Sequence, residues 1–180
     1  MKPTLEQLTA QFTALNGPAP VALVPTQPAA SAVPAAAATA SAPVAAAPKP
    51  PVQTTDFAIK GYVFDATVAP AQVVAAAAIM ERAGFGLDAV TGVDWIAQNE
   101  MEVVYDFFHP EVNFRAVYRT RVSRTTPEIP TISPVFAGAN WHERETHEFF
   151  GIRFLGHPDL TPLLLPEDAT FHPLRKDYQP

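Results

Sequence analysis

The stretch 100-EMEVVYDFFHPEVNFRAVYRTRV-122 decides the fold. In an extended chain successive side chains leave on opposite faces, so Met101, Val103, Tyr105 and Phe107 form one apolar row. Phe114, Ala116, Tyr118 and Val122 form a second row, with Arg115, Arg119 and Arg121 on its reverse. Pro110–Asn113 supplies the turn between the two runs. The pattern predicts an antiparallel hairpin over Glu100–His109 and Phe114–Val122, buried on one side. The arginine row reads as a solvated sheet face or as a contact for an acidic partner.

Upstream, Phe85–Asp94 reads as a further strand. Pro70 suits the first turn of a helix running to about Ala83, with Gly84 at its C-terminal cap. Gly61–Thr67, with Tyr62, Val63 and Phe64, reads as another strand. Downstream, Pro127, Pro130 and Pro134 space a loop, and a helix follows from about Asn140 to Phe150, stopped by Gly151. The fold class is α+β: a mostly antiparallel sheet with packed helices, then an extended Pro-rich C-terminal tail. This domain is expected over 56–180. Before it, residues 17–54 hold nine prolines and a single charge, Lys49, so 17–55 reads as a flexible, disordered Ala/Pro linker. Leu5, Leu8, Phe12 and Leu15 recur at helical spacing within 1–16, behind Thr4 as a cap. That short amphipathic helix reads as a tethered docking arm or as a frayed helix.

The 180-residue chain carries a net charge of -6 and no cysteine. The charge argues against a nucleic-acid partner. Without thiols there are no disulfides, thiolate nucleophiles or cysteine-held iron–sulfur and zinc sites. The longest apolar run, Val73–Met80, has eight residues, and a membrane span needs about 20. No signal peptide is legible, so attachment to a membrane is expected to come through a partner.

Residues 139–180 hold four of the five histidines, seven acidic residues and five prolines. Any chemistry is expected there. His142-Glu143-Arg144-Glu145-Thr146-His147 looks at first like the zinc-protease HExxH, but its histidines stand at i and i+5 and point about 140° apart. Glu145, Glu148 and His147 fall short of a di-metal ligand set. The physical reading is an ion-pair ladder, Glu143 with His147 and Arg144 with Glu148, both at i, i+4. Trp141, Phe149 and Phe150 should then face the sheet, leaving Glu-Arg-Glu to water or to a partner. Leu163-Leu164-Leu165 suggests burial in the domain or against another subunit. Histidines before proline, His157 and His172, read as structural hydrogen-bonders. Arg175-Lys176-Asp177 reads as a solvated triplet that, in an ordered tail, pairs with an acidic neighbour.

The pattern Ala-Asn-Trp-x-Glu-Arg-Glu-x-x-(Asp/Glu)-x-Phe-Gly-Ile-x-Phe-x-Gly-His-Pro-Asp-Leu from Ala139, followed by Pro-Leu-Arg-Lys-Asp-Tyr ending at Tyr178, resembles the 30-kDa-type subunit of complex I, the NADH–quinone oxidoreductase. Val90-Thr91-Gly92-Val93-Asp94 also fits that family, and the looser likeness runs back to about Asp56. The resemblance implies a peripheral subunit without a cofactor of its own. Its partners would be the large quinone-site (or hydrogenase large) subunit and neighbouring iron–sulfur subunits, which carry iron–sulfur clusters and FMN or nickel–iron. It implies a place on the cytoplasmic side of the cell membrane, in a complex passing electrons from NADH to quinone coupled to proton translocation. Glu143, Arg144, Glu145, Glu148, His157, Pro158, Arg175, Lys176 and Asp177 match the family motif, with structural and interfacial roles implied. His147-Glu148 stands where respiratory members usually show an aromatic residue and Asp, and Thr161-Pro162 where they usually show two arginines. Those departures keep an alternative open: the equivalent subunit of an energy-converting (CO-induced or ferredoxin-linked) nickel–iron hydrogenase.

Overall fold

The computed structural model describes residues 3–17 and 51–179. Most of the expected Ala/Pro linker, residues 18–50, lies outside the described residues. The elements run α1 (Leu5–Leu15), β1 (Val52–Thr54), α2 (Phe57–Lys60), β2 (Phe64–Thr67), α3 (Val73–Arg82), β3 (Gly86–Trp95), β4 (Glu100–His109), β5 (Phe114–Ser123), β6 (Glu128–Pro130), α4 (Ala139–Phe150) and β7 (Arg153–Leu155). The main sheet has strand order β1-β2-β5-β4-β3, and β6 pairs with β7 apart from it.

The hairpin forms as its alternation dictates, with Tyr105 opposite Tyr118 and Phe107 opposite Ala116. Those side chains are fully buried with Met101 and Val103, and the two tyrosine rings stack at 4.7 Å. Every contact in the main sheet is antiparallel except β2 against β5, which run parallel in the register Phe64↔Ala116. The expected strand Gly61–Thr67 is shorter than its sequence suggests. Asp56 caps the one-turn helix α2 through the Ala58 N–H, and Gly61 closes it at φ 76°, so extension begins only at Phe64. The Pro70 turn and α3 follow the expected course, and Gly84 takes positive φ behind the helix.

The arginines of the row pair with acidic neighbours within the sheet, while the Arg115 and Arg121 side chains stay partly exposed. Arg119 grips Asp65 with two bonds of 2.9 and 3.0 Å. Arg121 bonds Glu102 and Glu100 at 3.1 Å each, and Arg115 pairs with Asp88 and Asp106. Cross-strand pairs of opposite charge thus complete the outer face of the sheet.

The start of the fold also departs from expectation. Thr4 and Gln7 form a capping box on α1, but the helix is no free arm. Leu8 and Phe12 sink into the core, and the Phe12 ring meets Phe64 edge-on at 5.1 Å. Asn16 Nδ2 donates to the Thr67 carbonyl at 3.0 Å, which fixes the helix end beside β2. With β1 also in the sheet, packing begins well before Asp56.

Candidate interaction site

α4 carries the first half of the tail motif. Gly151 stops it in the left-handed region at φ 73°, a conformation that costs glycine little. Positions 139, 143, 146 and 150 make the inward stripe: Ala139, Glu143 and Thr146 are buried and Phe150 is half-buried. Thr146 donates to the Val90 carbonyl at 3.1 Å. Phe150 lies so close to Gly92 that a Cβ there would stand 2.6 Å from its ring. The expected faces are therefore reversed in part, with Glu143 inside and Trp141 59% exposed.

The ion-pair ladder does not form. Glu143 accepts the Ile132 N–H at 2.8 Å and the Thr131 hydroxyl. Glu148 accepts the N–H groups of Leu163, Leu164 and Leu165 at 2.8, 3.0 and 3.1 Å. Arg144 donates to the carbonyls of Thr161 and Pro162 at 3.0 and 3.1 Å and lies over the Trp141 ring. His147 Nδ1 meets the Ile152 carbonyl at 2.9 Å. An irregular segment has no ladder to satisfy its backbone, and each buried group left unpaired costs about 1–3 kcal/mol. Exposed i, i+4 pairs give back only a few tenths, so the backbone contacts win.

The second half of the motif finishes the helix. Its last carbonyls have no partner within α4. His172 Nδ1 donates to Glu148 O at 2.8 Å, Leu174 N to Phe149 O at 3.2 Å, and Arg175 Nε to Phe150 O at 2.7 Å. Arg124 then bridges Asp94, at 2.8 and 3.1 Å, and Asp177, and the Lys176 N–H adds a bond of 2.8 Å to Asp94. Burial works to raise the Asp94 carboxyl, but Arg124 and the Lys176 amide hold it below its ordinary value. Arg175-Lys176-Asp177 is thus an ordered clasp, although Lys176 and Asp177 stay exposed and, of the triplet, only the Lys176 main-chain N–H meets the acidic Asp94.

His157 behaves as a structural histidine, with Nε2 at 3.2 Å from the Asn140 carbonyl and Nδ1 accepting the Asp159 N–H at 3.1 Å. Glu145 and Pro158 are exposed. Leu163 and Leu165 are half-buried, but Leu164 stays 64% exposed, so the triplet is not buried in the domain as a whole. Leu174 is exposed as well, and Phe171 stacks on Tyr178 at 5.6 Å. Among the described residues no three histidine, aspartate or glutamate side chains gather as a metal site. No described helix is long and apolar enough to cross a membrane.

Asp94, Arg124 and Thr131 anchor this arrangement and escaped the sequence. A signal existed for Asp94: Val90, Gly92 and Asp94 share the buried face of one strand, and a carboxylate there calls for a cation. Glu148→Gln is expected to remove the charge that the three tail amides share and to turn its NH2 group towards the Leu164 N–H. We expect about 2 kcal/mol of lost stability and exchange at Leu163–Leu165 about 30-fold faster, read by amide hydrogen exchange.

The chain belongs to the family of the 30 Kd subunit of respiratory-chain NADH dehydrogenase, whose profile matches residues 66–180. It is 44% identical over 97 residues to a subunit of the F(420)H(2) dehydrogenase of Methanosarcina mazei, covering 52% of this chain and 60% of that one. Over 92 residues it is 42% identical to a subunit of the NADH-quinone oxidoreductase of Roseiflexus castenholzii, covering 51% and 53%. Its fold is similar to a chain of the membrane-bound sulfane sulfur reductase, an archaeal respiratory membrane complex, with TM-score 0.60 and 26% identity over 64% of this chain and 71% of that one. The chain spans 60% or less of the length of these two curated relatives. The family resemblance of the tail motif is borne out.

Proposed function

We propose that the chain is a cofactor-free, peripheral-arm subunit of a complex-I-like membrane oxidoreductase that passes electrons from NADH to quinone coupled to proton translocation. Its role there is assembly: it stabilises the quinone-site module, and its partners carry the iron–sulfur clusters and FMN. The carrying observation is the clasped tail. Glu148, Arg144, Asp94 and Arg124 spend buried and half-buried charge on fixing a segment without regular structure. That rigid segment and α4 leave Trp141, Leu164, Leu174 and Phe171 exposed, and aromatic and aliphatic anchors of this kind concentrate binding energy at interfaces. The motif residues Glu143, Arg144, Glu145, Glu148, His157, Pro158, Arg175, Lys176 and Asp177 build or border this surface, which we assign to the large quinone-site subunit on the cytoplasmic side of the membrane.

The double change Trp141→Ala, Leu164→Ala tests the surface. Co-purification with the large subunit should fall about 30-fold or more, while the melting of the isolated chain barely moves, because both side chains are exposed. Equal recovery of the partner would defeat the assignment.

The M. mazei relative and the sulfane sulfur reductase, neither named for NADH, support a second reading outside the NADH enzymes, for which we propose the equivalent subunit of an energy-converting nickel–iron hydrogenase. Purification from gently solubilised membranes separates the two. A flavin- and NADH-binding subunit without nickel supports the first, and stoichiometric nickel the second.

A further inference from the structure

Three carboxylates beside the sheet are matched to arginines: Asp65 to Arg119, Asp94 to Arg124, and Glu102 to Arg121. Glu143 is not. Its side chain is fully buried. Facing it are Thr131 and the Ile132 amide from the loop, His157 from the tail, Tyr105 from β4 and Tyr118 from β5. Arg144, the next residue along α4, is turned to Thr161 and Pro162. His157 lies 3.8 Å away but supplies no charge. Its Nε2–H points at the Asn140 carbonyl and its Nδ1 lone pair takes the Asp159 N–H, which is the pattern of a neutral ring. A carboxylate so placed has hydrogen bonds but no counter-charge, and such groups take up a proton instead.

The hydroxyl chain beside it fits either proton state. Thr131 Oγ1 touches Glu143 Oε2 and stands 2.9 Å from Ser133 Oγ, while accepting the Ser133 N–H at 3.0 Å. When Glu143 is protonated it donates to Thr131, and Thr131 passes its own hydrogen to Ser133. When Glu143 is ionised, Thr131 donates to the carboxylate. Ser133 is half-buried, which gives the chain an end near solvent.

We infer that Glu143, reached through the Thr131–Ser133 hydroxyls, is a reversible proton-binding site through which the stability of the fold depends on pH. Burial pushes its carboxyl up from 4.5 to about 7, against the pull of Thr131 and the Ile132 amide. The folded chain thus holds a proton that the unfolded chain releases. The stability this proton confers is complete below the ordinary carboxylate value and is lost as pH rises through about 7. At pH 7 folding should take up about half a proton at this site. The inference is independent of which complex the chain enters.

The full-length chain is titrated from pH 5 to pH 9 by infrared difference spectroscopy, alongside Glu143→Gln and the exposed control Glu145→Gln. A carboxyl C=O band that fades with a midpoint between pH 6 and 8, persists in Glu145→Gln and is absent in Glu143→Gln is the expected result. Carbon-13 NMR of the glutamate carboxyls in the unmodified chain stands in if Glu143→Gln fails to fold. One glutamate with a midpoint between 6 and 8 supports the site. All midpoints below 5.5, or a band unchanged in Glu143→Gln, overturns it.

Discussion

Phe12→Ala is expected to cost about 3–5 kcal/mol, the range for deleting a fully buried aromatic ring. Domains of this size keep only about 5–15 kcal/mol in all, so a single change in the first helix should leave the sheet marginal. The reason is geometric. Phe12 is 0% exposed, its ring lies 5.1 Å from Phe64 and 6.0 Å from Tyr118, and both of those sit in the centre of the sheet. Gln72 Nε2 also donates to the Leu15 carbonyl at 2.5 Å, joining α1 to the turn before α3. Removing residues 1–17 should therefore be at least as harmful as the point change. Urea unfolding of the two variants beside the parent decides the matter. A truncated chain that unfolds cooperatively within about 1 kcal/mol of the parent would show the helix to be an accessory after all.

Arg124→Ala should be comparably severe at neutral pH, about 3–5 kcal/mol, because it strands a carboxylate whose side chain is 0% exposed. It also frees Asp177 and so opens the clasp on the tail. The pH dependence has a definite sign. Asp94 is held below its ordinary value in the folded chain. Its contribution is therefore present above the unfolded carboxylate value and disappears as pH falls through the lowered one. In Arg124→Ala that acid limb should vanish, since the unpaired carboxyl is free to take a proton. Adding Asp94→Asn to Arg124→Ala should then recover part of the loss at pH 7, as it removes the stranded charge. Failure to recover any would mean that the loss comes from the freed Asp177 and the opened tail, not from the stranded Asp94 charge.

The central hairpin is legible in the sequence because period-two alternation over ten residues leaves one answer, and the end of α4 because Gly151 announces it. The parallel contact of β2 with β5 is not. β2 has four residues, and α3, β3 and β4 intervene before its partner, so nothing local records the pairing. The faces of α4 mislead for a related reason. Charge suggests an outward position, yet the inward stripe contains Glu143, whose hydrogen-bond donors stand at Thr131 and Ile132 in a loop before the helix. Periodicity reports which residues share a face; it says nothing about donors elsewhere that make a carboxylate welcome there. The tail motif announces the family through residue identity, but the bonds from Glu148 to Leu163–Leu165 and from Arg124 to Asp177 span a fold that identity alone does not display.

The capping of α4 by residues 172–175 also bears on the order in which the protein comes into being. Synthesis delivers the helix before the donors that close its carbonyls, and it delivers Phe12 long before Phe64 and Tyr118. A nascent chain that has emerged only as far as Phe171 holds a helix whose final turn has no cover and a tail that nothing yet holds down. The last turn of α4 thus gains its cover only once residues 172–175 are made, and α1 its core contacts only once Phe64 and Tyr118 are.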